Sequence, residues 1–142
     1  MTKPFMPTHP KPALACIKFD QAGQPFIEGL RCRSCAAVVA DARLACPACG
    51  SREGFEPFRA AETGRLHAYS IVHRSYPGIP VPFVSAIVDL DDGLTLKGNL
   101  VGVETEPGAF NPLLRVKVVF NDALGRKDKE NASYVAFSFQ PV

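Results

Sequence analysis

The sequence predicts a mainly β protein in two parts, a small cysteine-knuckle module followed by a five-stranded barrel. Three observations carry this reading. Cys32-Arg33-Ser34-Cys35 and Cys46-Pro47-Ala48-Cys49-Gly50 are two C-x-x-C knuckles separated by ten residues. Farther along, apolar residues alternate with polar ones at a period of two, and no stretch has a convincing amphipathic helical pattern. Thirteen prolines and eleven glycines in 142 residues supply the turns that short strands need. About five strands over about eighty residues, with one long polar loop late in the chain, suit a Greek-key barrel of the OB type.

The chain divides into residues 1–12, 13–54 and 55–142. The first segment, Met1-Thr2-Lys3-Pro4-Phe5-Met6-Pro7-Thr8-His9-Pro10-Lys11-Pro12, reads as an extended arm stiffened by proline. It lacks the continuous apolar region of a signal peptide. Residues 14–19 and 25–30 are short apolar runs around Asp20-Gln21-Ala22-Gly23-Gln24, a hairpin pattern leading straight into Cys32. Between the knuckles, Val38-Val39 and Leu44 flank Asp41-Ala42-Arg43 and predict a second hairpin, that of a metal ribbon.

The barrel strands follow in order. Residues 66–73 are β-prone. A proline-rich loop comes next, and residues 83–90 then put Val84, Ala86, Val88 and Leu90 on one face. Asp91-Asp92-Gly93 is a tight hairpin turn. The return strand, 94–101, places Leu94, Leu96, Gly98 and Leu100 inward and Thr95, Lys97 and Asn99 outward. Leu114, Val116, Val118 and Phe120 alternate in the next strand, and a charged loop, 121–131, precedes the last strand at 133–140.

Four thiolates at about 2.3 Å in a tetrahedron are the closed coordination of structural zinc, with no position left for a substrate. Cys32, Cys35, Cys46 and Cys49 have the spacing for that set. A rubredoxin-like iron site uses the same ligands, and disulfides remain a third reading. Ala36 occupies the position after the first knuckle where glycine relieves a left-handed backbone, a cost of about 1 kcal/mol. The second knuckle keeps Gly50. The fifth cysteine, Cys16, lies between Ala15 and Ile17 and reads as a buried apolar thiol. Cysteine usage favours a reducing, cytoplasmic location.

Net charge is +2, too small to imply nucleic acid or a membrane surface, and no stretch reaches the length of an apolar span. Arg31, Arg33, Arg43 and Arg52 surround the knuckles, either as a solvated rim balancing the anionic cluster or as an anion contact. Lys97, Arg115 and Lys117 read as a solvated sheet face. His67 and His73 bracket the first barrel strand on one side, with Tyr69 and Ile71 between them. No catalytic Ser/His/Asp arrangement, H-E-x-x-H or phosphate-cradling loop accompanies them. The proline loop, with Tyr76, Ile79, Val81 and Phe83, is either a stiff connector or a docking surface.

The order of motifs resembles a known family. After the C-x-x-C…C-P-x-C-G ribbon come Gly64-Arg65-Leu66-His67-Ala68-Tyr69-Ser70-Ile71-Val72-His73, Val88-Asp89-Leu90-Asp91-Asp92-Gly93 and Asn99-Leu100-Val101-Gly102. From about Gly29 onward the chain is similar to the acyl-CoA-associated OB-fold proteins, whose domain was long described as one of unknown function and carries a rubredoxin-like zinc ribbon. It departs from them in its pre-ribbon hairpin and in Pro112-Leu113-Leu114-Arg115-Val116, which lacks the family's glycine.

The resemblance implies an accessory role beside a thiolase-fold catalytic subunit. Known partners include thiolase and hydroxymethylglutaryl-CoA synthase assemblies, acyltransferases, and lipid-transfer-protein-type aldolases of steroid side-chain degradation. Zn2+ would be structural, an acyl-CoA thioester would be the substrate of the complex, and the catalytic residues would belong to the partner. Arg31, Arg33, His73, Arg74, Lys97 and Asn99 are then the candidates for CoA contact. A rival from another class is a single-stranded nucleic-acid binder, which needs a basic groove interleaved with exposed aromatics. A third is electron transfer through an iron-loaded site.

Overall fold

The computed structural model describes residues 11–41, 43–111, 113–125, 127, 129 and 133–142. The first ten residues of the expected arm, Ala42 of the knuckle turn, Pro112 and part of the charged loop therefore lie outside the described residues. One strand organises the first sheet. β2 (Ile17–Phe19) and β3 (Pro25–Cys32) form the expected hairpin, with Ile17 opposite Ile27. Asp20 shapes its turn, because Oδ1 accepts from the amides of Ala22 and Gln24, both at 2.9 Å.

β3 also pairs with β4 (Val38–Val39) and β5 (Phe55–Arg59). Among the described residues, the hairpin expected between the knuckles does not form. Val38 and Val39 pair back onto Arg31 and Leu30, while Leu44 is 96% exposed. The physical reason is burial: Val38 reaches the turn at Gly93, and an ideal Cβ there would stand 3.8 Å from its Cγ2. A pairing with exposed Leu44 offers no such cover. Opposite β5, the ring of Phe58 lies over Gly29, where any Cβ would meet it at 2.5 Å.

β6 (Thr63–Val72), β7 (Phe83–Leu90), β8 (Thr95–Leu100), β9 (Arg115–Asn121) and β10 (Tyr134–Pro141) make the barrel. They close in the order β6-β7-β8-β10-β9 and back to β6. All pairs are antiparallel except β8 with β10, which meet at Leu100 and Phe139. This is the expected five-stranded closure. β5 pairs with β3, so the barrel's own strands begin at Thr63.

β1 (Lys11–Pro12) runs parallel to the start of β10, with the amides of Lys11 and Ala13 donating to the carbonyls of Ser133 and Val135. The carbonyl of Phe139 accepts from Val101. Alternate carbonyls leave a strand on one side. β1 therefore sits on the β8 side of β10 and extends the seam where β8 has left it.

The interior follows the period-two reading. Val84, Ala86, Val88 and Leu90 from β7 are buried, as are Leu94, Leu96 and Leu100. Gly98 makes room for Phe137 and Phe139, whose rings would lie 3.0 Å from a Cβ there. The same cluster includes Cys16, Ile17, Ile27 and Ala60, so the hairpin and the barrel share one core. Burial pushes the Cys16 thiol above its ordinary range.

The expected histidine face is corrected by a bulge. The β6–β7 register slips between Leu66 and Ala68, leaving Tyr69 and Ile71 opposite buried Ala86 and Val84. His67 is turned the other way and bonds Asp89 at 2.9 Å. An inserted residue reverses the alternation, and no residue pattern in the strand announces it. His67 therefore does not share the side of Tyr69 and Ile71.

Gly64 offers a direct test of this packing. A Cβ there would lie 2.5 Å from the carbonyl oxygen of Asp89 and 2.8 Å from Cα of Leu90, both backbone atoms. Gly64→Ala is expected to destabilise the fold by about 1–3 kcal/mol, the usual cost of overpacking. Urea unfolding followed by circular dichroism measures it, and an unchanged midpoint contradicts the close crossing.

Candidate metal centre and barrel face

The two knuckles repeat one backbone design. The amide of Ala36 donates to Cys32 O at 3.0 Å, and that of Gly50 to Cys46 O at 2.8 Å. The amide of Ser34 points at Cys32 Sγ and that of Ala48 at Cys46 Sγ, both at 3.4 Å. Each turn ends on a left-handed residue, Ala36 at φ 65° and Gly50 at φ 77°. The sequence expectation of a strained alanine is therefore met. The knuckles are also tied together by a Ser34–Ser51 hydroxyl bond of 2.7 Å.

All four sulfurs lie within 4.8 Å of one another. Cys32 and Cys49 are 3.8 Å apart, and Cys35 and Cys46 are 3.6 Å apart. A tetrahedron with metal–sulfur distances of about 2.3 Å has edges of about 3.8 Å, so the set fits one tetrahedral ion. Sulfurs this close cannot all ionise unaided. The amides of Cys35 and Ser34 lower the Cys32 thiol to about 6, and the amide of Cys49 leads in lowering Cys46. Cys35 moves the other way, up to about 12. The Ala37 amide lowers it, but burial and the surrounding Cys49, Cys46 and Cys32 outweigh that. A bound cation removes this conflict and holds all four as thiolates.

The basic residues near the cluster are spread out. Arg31 lies on β3 with its guanidinium 4.6 Å from the Phe58 ring centroid, a cation–π contact. Arg33 is exposed beside Gly54, whose carbonyl accepts its amide at 3.1 Å. His73 and Arg74 are exposed where β6 runs into the proline loop. Lys97 and Asn99 stand on the outer face of β8, opposite Ile87 and Ser85. Lys97 lines a cleft with Ser70 and Ser85 on one side and another with Cys16 and Asp41 on the other. The ribbon arginines line neither.

Asn99 opens onto a third cleft, an apolar groove of about 470 Å³. Its apolar lining is Ile79, Phe83, Val101, Leu124, Ala136 and Phe137. Tyr76 and Val81 flank it on the proline loop, 80% and 44% exposed. Leu124 was missed in the sequence, although it is the one large apolar residue in the 121–131 loop. Its backbone is strained: Ala123 and Leu124 hold φ values of 55° and 63° before Gly125 at 76°. Two non-glycine residues in this region cost about 1–2 kcal/mol each.

A polar network at the barrel's other end was also missed. Arg115 holds Asp91 through two bonds of 2.6 and 3.0 Å, and Thr95 joins His67 on Asp89 at 2.6 Å. These contacts link β6, β7, β8 and β9 across bent strands, which adjacency in sequence does not reveal. Arg115 and its donated bonds hold the Asp91 carboxyl well below the usual carboxylate range.

Residues 59–121 match the family described as ChsH2, C-terminal OB-fold domain. That match takes in the barrel strands β6 to β9. A DUF35 domain-containing scaffold protein of Methanocaldococcus jannaschii is 28% identical over 116 residues, covering 80% of each chain. A probable enoyl-CoA hydratase alpha subunit of Thermomonospora curvata is 33% identical over 98 residues, 66% of this chain but only 30% of that longer protein. The benzoylsuccinyl-CoA thiolase subunit BbsA of Thauera aromatica is 23% identical, covering 83% of this chain and 78% of its own. Among solved structures, the Ltp2-ChsH2(DUF35) aldolase matches with a TM-score of 0.63 and 28% identity, over 82% of this chain and 84% of that one. The family resemblance read from the motifs is thus borne out. No helix among the described residues is long and apolar enough to cross a membrane.

Two outcomes test the knuckle geometry. Ala36→Gly is expected to leave metal stoichiometry at one ion per chain and to stabilise the chain by at most about 1 kcal/mol, since relief of strain is offset by glycine entropy. Thermal melting with metal analysis reads both, and a loss of metal means that Ala36 is not the strained position. Stripping the metal with a strong chelator is expected to loosen residues 32–54 while the barrel amides keep their exchange protection. Global unfolding on chelation contradicts a barrel that stands on its own core.

Proposed function

We propose that this chain is a non-catalytic subunit of a heteromeric, thiolase-like enzyme complex working on acyl-CoA thioesters. One observation carries the reading: a closed four-sulfur set stands beside an OB barrel with an apolar groove rimmed by exposed, strained loop residues. The cysteines leave no coordination position for a substrate, so the ion, which we take to be zinc, braces the fold. Strain and exposure at one rim are features of surfaces that serve a partner. Among the described residues, the His67–Asp89 pair is exposed and has no nucleophile bonded to the imidazole. The reacting groups therefore belong to another chain.

Within this reading, Tyr76, Ile79, Val81 and Phe83, joined by Leu124, dock the catalytic subunit. Lys97 and Asn99, beside that surface, contact the CoA, with Arg31, Arg33, His73 and Arg74 as further candidates at the ribbon and the loop. CoA carries three phosphate groups on a long thin chain, and an ammonium or guanidinium can hold one of them by a charge-assisted bond. The likeness to an aldolase assembly supports a carbon–carbon lyase as the preferred partner, a retro-aldolase acting on a sterol-derived side-chain CoA ester. The relationship to a thiolase subunit supports a thiolase as the second choice.

Co-expression with a thiolase-fold chain from the same genome tests the reading. We expect a stoichiometric complex that survives gel filtration, and loss of it in a Tyr76→Asp, Leu124→Asp double variant. A chain that elutes alone while the catalytic subunit keeps full activity overturns the assignment. Within the complex, Lys97→Ala is expected to raise KM for the acyl-CoA about tenfold, the worth of one charged hydrogen bond. An unchanged KM in both Lys97→Ala and Arg33→Ala rejects a direct phosphate role. Metal analysis distinguishes zinc from iron, whose tetrathiolate is red and redox-active.

A further inference from the structure

Four strands set one row of side chains across the outer barrel face. Thr95 of β8 stands opposite Asp89 of β7, Asp89 opposite Arg65 of β6, and Arg65 opposite Arg115 of β9. Like charges directly opposite each other destabilise a sheet. Arg115 has its counter-charge in Asp91, which it holds at 2.6 and 3.0 Å. Arg65 has none. Among the described residues its guanidinium makes no hydrogen bond and no ion pair.

The carboxylate best placed to serve Arg65 is turned away from it. Asp89 Oδ2 bonds Nδ1 of His67 at 2.9 Å, and its Oδ1 accepts from the Thr95 hydroxyl at 2.6 Å. Asp91 accepts from Thr63 as well as from Arg115. Its carboxyl is lowered first by those bonds and only last by the charge of Arg65, which is near but unbonded. Arg65, His67, Asp89, Asp91, Leu113 and Arg115 line one cleft of about 320 Å³. A free guanidinium therefore opens onto a cavity large enough for a small ligand.

The lining also selects the ligand. A guanidinium presents a planar fork that matches the two oxygens of a carboxylate. Two arginines balance two aspartates here, so one further negative charge is tolerated, whereas a dianionic phosphate meets twice the repulsion from Asp89 and Asp91. Leu113 supplies an apolar wall: it is 66% exposed, and its amide is fixed on Asn111 Oδ1 at 2.8 Å. We propose that this cleft binds a small aliphatic carboxylate, with Arg65 holding both carboxylate oxygens and Leu113 covering the carbon chain. The cleft shares no residue with the apolar groove or with the candidates for CoA contact, and it does not depend on those assignments.

The test titrates the full metal-loaded chain, followed by the NMR signals of the Arg65 Nε–H and the Leu113 amide. Butyrate, phosphate and potassium chloride are compared at one ionic strength. Butyrate is expected to shift both signals to saturation, phosphate to bind more weakly, and chloride to give no saturable shift. Acetate, with a shorter chain, is expected to bind less tightly than butyrate. Arg65→Gln is expected to weaken butyrate binding at least about tenfold at the Leu113 amide, while Arg52→Gln on the ribbon leaves it unchanged. Arg65→Lys keeps the charge without the fork and is also expected to bind more weakly, which preserves the test if the glutamine variant folds poorly. No saturable shift with butyrate overturns the proposal, as does wild-type binding in a folded Arg65 variant. Phosphate binding tighter than butyrate overturns the carboxylate. A blocked glutamyl peptide that binds tighter than butyrate overturns the small-molecule ligand, because the cleft then serves a protein.

Discussion

Everything in this molecule hangs from β3. Its first residues pair with β2, Glu28 to Cys32 with β5, Leu30 and Arg31 also with β4, and its final residue, Cys32, belongs to the four-sulfur set. A strand that is hydrogen-bonded on both sides cannot slide without flipping its side chains to the wrong face. Ile27 and Cys32, both buried, are pinned by that register. A metal ion held by the four sulfurs would fix the far end of the same strand to Cys46 and Cys49. A small module with few apolar residues is thereby held without a core of its own, and it uses Ile17, Ile27 and Ala60 to join the barrel's core.

The consequence is mechanical. Val38 on Gly93 and the amide of Ala61 on Asp92 tie the ribbon and its exit to one barrel turn. The tetrathiolate therefore braces the base of β7 and β8, whose opposite ends carry the groove and the proline loop. A brace at one end of two strands, and at the other the surface we propose for a partner, is an economical division.

The parts of the fold that were legible in the sequence are those set by local chemistry. Period-two alternation located Val84 to Leu90 and Leu94 to Leu100 on the correct faces, since burial is decided residue by residue along a strand. Knuckle spacing located all four ligands, and the missing glycine at Ala36 foretold its positive φ. What stayed hidden depends on where distant segments meet. Val38-Val39 chose β3 over Leu44 because a barrel turn was there to bury them. The bulge that parts His67 from Tyr69 is an accommodation to barrel curvature, which no window of sequence contains. The candidate site divides the same way: the metal set was readable, whereas the groove exists only because the 73–82 and 121–131 loops converge.

That convergence bears on which face of the barrel is used. OB barrels take their ligands over the second and third strands, between the loops joining strands one to two and four to five. Here those strands are β7 and β8, and the loops are 73–82 and 122–133. Both loops supply walls to the apolar groove, and the second is where consecutive residues accept left-handed strain. Strain of this kind persists when the surroundings over-determine it, and it relaxes readily if it has no use. The Asn121 side chain donates from Nδ2 to the Ser138 hydroxyl at 3.0 Å and its Oδ1 accepts the Ala123 amide at 3.0 Å, so the entry to the strained turn is clamped from both sides. Leu124 is held out at 61% exposure by that clamp. An apolar side chain fixed outward at backbone cost is stabilised by what it meets, and this favours the groove, over the polar base around Asp91 and Arg115, as the surface we propose for a partner chain.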